Sequence, residues 1–99
     1  LEQNGKFKIP YLGVEYRSRV VFIKGQSLIG AEITNVIKSS PAETAGIRIG
    51  DIIVDFNGSS LDNESLLALI QKTNIDSRVE VVLIRDKIEN TIEVIIGER

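Results

Sequence analysis

"SPAETAGIRIGDIIVDFNG", Ser40 to Gly58, decides the fold. Ser40 puts a hydroxyl where a helix needs an acceptor for its first free N–H groups, and Pro41 suits the first helical position, where a missing N–H costs nothing. Glu43 stands three residues after Ser40, the spacing of a capping box. Gly46 can adopt the left-handed conformation that ends a helix. The stretch therefore predicts one or two helical turns with a hard stop. Gly50–Asp51 then reads as a tight turn into the apolar run "DIIVDF", and Asn57–Gly58 is the strongest short hairpin signal in the chain.

Beyond this block, "LDNESLLALIQKT" (61–73) reads as a helix capped by Asp62, with Leu61 and Leu66 placed to form a hydrophobic staple. On a helical wheel Leu66, Leu69 and Ile70 share one face. Leu67 widens the apolar arc to roughly 160°, against roughly 100° for an ordinary surface helix. Asn63, Leu67 and Ile70 make a second stripe at i, i+4, i+7. Two readings follow: a deeply packed helix, or a helix whose Leu66 and Leu69 face the core while Leu67 and Ile70 line a groove. The segment 77–98, "SRVEVVLIRDKIENTIEVIIGE", predicts a terminal hairpin around Asp86–Asn90.

Upstream, "GAEITNVI" (30–37) alternates Ala31, Ile33 and Asn35 against Glu32, Thr34 and Val36, as a strand does. "KGQS" (24–27) signals a turn, and the β-branched "VVFI" (20–23) predicts a short buried strand. Residues 11–16 alternate with Leu12, Val14 and Tyr16 on one face, and residues 1–8 are polar and expected to fray. Gly13 is the oddity of this run. A glycine among strand formers gives up packing and backbone entropy, so it marks either an unusual turn or a place where something approaches the main chain closely. The elements add up to a small α+β domain, a curled sheet with two helices over its openings.

Composition narrows the chemistry. The chain has 99 residues, 42% hydrophobic and only 5% aromatic, so its core must be built from Ile, Leu and Val. A net charge of −2 without a basic block argues against nucleic acid as a partner. No apolar run approaches the roughly 20 residues that span a bilayer. The absence of cysteine removes disulfides and thiolate sites, and the absence of histidine removes the Ser-His-Asp and Cys-His engines. Asp51 and Asp55 read as a turn residue and a strand residue rather than an acid–base pair. Asp86, Glu89 and Asn90 read as a hairpin tip, since their spacing is not that of a calcium loop. No cofactor or metal is expected, and the chain is expected to have no catalysis of its own. It begins "LEQNGKFK" without methionine, which suggests a piece of something longer.

The 40–58 block, preceded by "YLGV" (11–14), resembles the signature of bacterial PDZ domains, and the arrangement of "GAEITNV" before the short helix and two strands at the end is most similar to the PDZ domains of HtrA-type, trypsin-like serine proteases. The resemblance spans residues 9–97. It implies a partly open β-barrel or sandwich of five to six mostly antiparallel strands capped by two helices, which binds extended peptides and free C-termini. On that resemblance the N–H groups of Leu12, Gly13 and Val14 hold the terminal carboxylate, with Gly13 bare so that it can approach. Tyr11, Leu12, Val14, Tyr16, Leu67 and Ile70 form the side-chain pocket and groove, and Asn63 sits near the third-from-last peptide residue. Where many relatives carry a base two positions before the loop aromatic, this chain has Ile9, with Lys8 one residue earlier as a possible auxiliary contact. The resemblance also implies a covalently linked protease domain, a place in the cell envelope or periplasm, and a task in protein quality control. The alternatives are an assembly module docking on its own protease or subunits, or the PDZ domain of a membrane metalloprotease or C-terminal processing protease.

Overall fold

The computed structural model describes residues 9–62 and 64–98. The segment 1–8 expected to fray, Lys8 with it, and Asn63 lie outside the described residues. The chain runs β1 (Pro10–Tyr11), β2 (Val14–Ile23), β3 (Gln26–Val36), α1 (Pro41–Ala45), β4 (Ile52–Phe56), β5 (Ser59–Ser60), α2 (Leu66–Gln71), β6 (Arg78–Arg85), β7 (Ile88–Ile95) and β8 (Gly97–Glu98). Six strands make an open antiparallel sheet in the order β2-β3-β4-β6-β7, with β5 paired to β4, while β1 and β8 form a separate short pair. The α+β class expected from the sequence is the class observed.

The deciding block folds as its residues dictate. Ser40 Oγ accepts the Glu43 N–H at 3.2 Å, Pro41 opens α1, and Gly46 closes it at φ +95° with its N–H shared between the carbonyls of Ala42 and Glu43. The capping box is shifted by one residue. The Glu43 carboxylate accepts from the N–H of Ser39, because that of Ser40 is already turned to the Ile37 carbonyl. β4 then runs through the middle of the sheet, with Ile53 opposite Ala31 on one side and Leu83 on the other. Its Ile53 and Phe56 are, with Leu12, Ile33, Leu66, Leu83 and Ile96, the largest fully buried side chains among the described residues, a branched-aliphatic core around one aromatic ring.

Several expectations need correction. "VVFI" is no short buried strand. It is the far end of the ten-residue β2, zipped to β3 through a two-residue turn at Lys24–Gly25, and Phe22 there is 80% exposed. That turn also hands Gln26 and Ser27 to β3, so the strand begins four residues before Gly30. α2 is shorter than its apolar pattern. Its cap is Ser65, whose Oγ accepts the Ala68 N–H, while Asp62 turns away to accept the N–H of Ile29 at 3.1 Å. Leu61 and Leu66 are both buried, but with the cap at Ser65 they are not the staple expected. The final hairpin turns at Asp86–Lys87, both at positive φ, and Asn90 already belongs to β7. Within β3, Thr34 is an extra residue, since Glu15 faces Asn35 and Tyr16 faces Ile33. This bulge reverses the alternation and turns Val36, not Asn35, against the core.

Asp51, expected to be a turn residue, is 2% exposed. Arg85 grips it with two bonds, Nε to Oδ1 at 2.9 Å and Nη2 to Oδ2 at 2.6 Å, and Nη2 also reaches the Gly46 carbonyl. The Arg48 N–H donates to the same carboxylate. Hydrogen bonding to Asp51 holds the Arg85 guanidinium above its ordinary pKa, so it is charged at every working pH. The clamp ties the end of α1 to β6. Replacing Arg85 by Met is expected to destabilise the fold by about 3 kcal/mol, since the carboxylate would stay buried with its charge uncompensated; urea unfolding of Arg85→Met against wild type measures it.

On the exposed arm, Glu32 pairs with Arg17 and Arg19, each at 2.7 Å. The bond from Arg17, with that from Arg19, holds its carboxyl below the ordinary 4.5. A depressed folded-state pKa stabilises above the unfolded value and loses that effect as pH falls through the folded value. The difference in melting temperature between wild type and Glu32→Gln should therefore be present at neutral pH and shrink once the pH drops below about 4; melting curves across that window check it.

Candidate functional site

The loop between β1 and β2 is fastened by its carbonyls. Leu12 O accepts the N–H of Ala42 at 2.9 Å, and Gly13 O accepts that of Ile37 at 2.8 Å and, at a longer 3.4 Å, the Ser40 hydroxyl. The N–H groups of Leu12 and Gly13 have no acceptor among the described residues. Val14 continues the row. It faces Val36 across β3, and the bond from Ile37 N–H to Gly13 O marks this as a non-hydrogen-bonded pair, in which each residue points its N–H and C=O away from the other strand. Tyr16 is oriented likewise. Ile33 opposite it spends its N–H and C=O on Asp51 and Gly50 at the β4 side, so those of Tyr16 face the open edge. β2 is the outermost strand, and this edge is unpaired within the sheet.

Gly13 has φ +91°, a conformation that disfavours any side chain. The space a Cβ would need is taken by Ser40, whose Cβ would stand 2.2 Å away and its Oγ 2.6 Å. The sequence suggested a glycine kept bare for an approaching ligand. The structure adds a local reason that no spacing rule reveals: the cap of α1 is packed directly on Gly13.

Between the edge of β2 and α2 lies a groove of about 370 Å³ lined by Ile9, Pro10, Tyr11, Leu12, Gly13, Val14, Tyr16, Leu67, Ile70 and Gln71. Every residue that the sequence pointed to and that is described here lines it. Asn63 and Lys8 lie outside the described residues. Both readings of the α2 wheel hold in part. Leu66, Leu69 and Ile70 are buried, with Ile70 forming the floor, whereas Leu67 is 54% exposed and forms the wall. Ile9, Pro10 and Gln71 were not predicted. Gln71 had a signal, since it follows Leu67 at i+4; Ile9 and Pro10 are brought in only by the path of β1. Tyr16 joins the two sides of the groove, its phenol oxygen accepting the Leu67 N–H at 2.9 Å.

The groove presents an apolar trough, an open strand edge along one side, and backbone donors at one end. The acidic groups singled out earlier are elsewhere and occupied: Asp51 by Arg85, and Asp55 by the N–H of Gly58 in the β4–β5 turn. Among the described residues no three His, Cys, Asp or Glu side chains gather where a metal could bind.

Comparison with known proteins agrees with this geometry. The family model described as "PDZ domain" matches residues 10–96, and the chain belongs to that family. A probable periplasmic serine endoprotease, DegP-like, of Marinomonas sp. (strain MWYL1) is 39% identical over 71 residues, 71% of this chain and 15% of that protein. The serine protease Do-like HtrA of Bacillus subtilis (strain 168) is 32% identical over 104 residues, 92% of this chain and 23% of that protein. The chain thus spans less than a quarter of the length of either relative. Among solved structures, the HtrA-type protease AlgW with decapeptide superposes with a TM-score of 0.75 at 18% identity, over 93% of this chain and 30% of that one. The serine endoprotease from Yersinia pestis does so with a TM-score of 0.74 at 21% identity, over 97% and 31%. At these identities the superpositions speak for the fold alone.

Gly13→Ala is expected to destabilise the domain by about 3 kcal/mol, from the positive φ together with the collision at Ser40. Chemical denaturation gives the value, and a loss under about 1 kcal/mol would mean that the loop and the α1 cap separate easily.

Proposed function

We propose that this domain binds the C-terminal ends of extended polypeptides in the groove between β2 and α2. The terminal carboxylate is held by the N–H groups of Leu12, Gly13 and Val14. The last side chain, of medium aliphatic or aromatic size, enters the trough formed by Leu12, Val14, Tyr16, Leu67 and Ile70. The peptide backbone pairs with the open edge of β2 as an added strand. One observation carries this: donors without acceptors lie at the end of an apolar groove whose long side is an unpaired strand edge, so the negative end, the side chain and the backbone of one ligand can all be satisfied together.

The magnitudes suit a reversible contact. A hydrogen bond to a charged group contributes about 1.5–3 kcal/mol, and burying a Leu or Val side chain about 1.5–3 kcal/mol. Ordering the peptide costs several kcal/mol in return, which leaves an affinity of roughly micromolar order.

The printed names of the matched relatives support a setting for this activity. We infer that the domain is a substrate-recognition or regulatory module linked to an HtrA-type serine protease on the extracytoplasmic side of the membrane, in the cell envelope or periplasm. There it presents polypeptide ends to the catalytic domain, or releases inhibition of it, in protein quality control.

Titration of the 99-residue chain with a peptide ending in Val, Leu or Phe, beside its amidated twin, tests the carboxylate contact. The amide is expected to bind at least about tenfold more weakly, one charge-assisted bond being sufficient for that. Equal affinity of the two would overturn the role given to residues 12–14.

A further inference from the structure

A second groove, of about 670 Å³ against 370 Å³ for the first, opens between the arm formed by β2 and β3 and the turn that joins β6 to β7. Val21 and Ile23 on the arm and Ile52 and Ile84 on the sheet give it an apolar lining. β3 pairs with β4 only at Ala31 and Glu32, so from Arg19 to Gly30 the two strands of the arm pair with each other alone. Val20, Phe22 and Ile29 of that arm are 57%, 80% and 40% exposed. Apolar side chains gathered in this way on a surface mark a place of contact.

The two walls of the groove differ in charge. The arm wall carries Arg19 and Lys24 and no acid, whereas the turn wall carries Asp86 and Glu89 against one base, Lys87. Arg19 is already paired with Glu32. Lys24, Asp86, Lys87 and Glu89 are exposed, and none of them forms an ion pair with a described residue. The walls therefore do not neutralise each other within one chain.

This pattern selects an occupant. A ligand of one sign, an anionic lipid surface included, would suit one wall and be repelled by the other. A matched partner brings an acid to the arm, a base to the turn and apolar side chains between them. A second copy of this chain carries that set, at the separation of the two walls, by construction. A two-fold axis along the groove lays the arm of each copy over the β6–β7 turn of the other. Each Lys24 then meets Asp86 and Glu89 of the other copy, and the exposed side chains of both arms leave water. Such a contact uses the same patch twice, so every favourable pair occurs twice and the assembly closes at two chains.

We propose that the face between the β2–β3 arm and the β6–β7 turn is a self-association surface, through which two copies of this domain pair by crossed charges over an apolar centre. The contact is made by side chains, not by strand addition, and it does not rest on the carboxylate-capture reading of the other groove.

The test is the mass of the 99-residue chain in solution, by sedimentation velocity from micromolar to millimolar concentration. Wild type is expected to rise from one chain towards two. Lys24→Glu and Glu89→Lys each turn two attractions into two like-charge contacts, so each alone should raise the dissociation constant about tenfold or more. An equimolar mixture of the two variants restores opposite charges at both contacts and should dimerise as wild type does. A wild type that stays monomeric throughout overturns the proposal, as does a dimer indifferent to both substitutions or a mixture that fails to recover. Both positions are exposed, and circular dichroism verifies that the variants fold. Should either not fold, wild type in low and high salt decides: screening of the crossed charges should weaken the dimer, and a salt-independent dimer overturns the proposal.

Discussion

The carbonyls of Leu12 and Gly13 are bound to the approach and first turn of α1, and the groove depends on that fastening. With Leu12 O on Ala42 N–H and Gly13 O on Ile37 N–H, the two peptide units can only turn their N–H groups outward. Ser40 does two jobs in one place, capping α1 through Glu43 and filling the space beside the bare Gly13. Loosen α1 and the loop has no reason to keep its amides exposed. The Asp51–Arg85 clamp belongs to the same chain of constraint, since it joins the Gly46 end of that short helix to the middle of the sheet.

A five-residue helix is a poor scaffold by itself, because nucleation is costly and few bonds repay it. Here its ends are fixed chemically: Ser40 and Pro41 at one, left-handed Gly46 and the Arg85 contact at the other. Ala42 is fully buried between them. For the carboxylate capture proposed above this means preorganisation: the ligand's end would meet donors already in position and would not have to order the loop.

Local chemistry made much of this legible in the sequence. The α1 block, the Asn57–Gly58 turn and the alternation of Leu12, Val14 and Tyr16 are written in adjacent residues, and the structure repeats them. The apolar stripe of α2 placed Leu67 and Ile70 on the groove side. What escaped was decided across long separations. Asp62 looked like a cap because it precedes an apolar run; that it serves Ile29 instead depends on where β3 passes. Asp51 does close a turn with Arg48, as expected, but its burial under Arg85 was hidden because that partner comes from a distant strand. The run "VVFI" looked buried because such apolar residues usually are, yet burial needs a covering layer, and among the described residues Val20 and Phe22 of that arm stay exposed. The reason for Gly13 lay in Ser40, and the link from Tyr16 to Leu67 in two elements that meet only after folding.

An open strand edge is also an invitation to copies of the same chain. A long, flat, apolar edge seeds association without limit, and natural sheets blunt theirs with charge, kinks and brevity. β2 shows such devices just past the useful stretch. The bulge at Thr34 disturbs the register opposite Tyr16, and Arg17 and Arg19 follow at once, held to Glu32. The receptive part of the edge is thereby cut down to a short window between loop and bulge. The short peptide end proposed as ligand would need only that window, whereas a second full strand would have to run on past guanidinium groups, so one geometry would admit the one and discourage polymerisation.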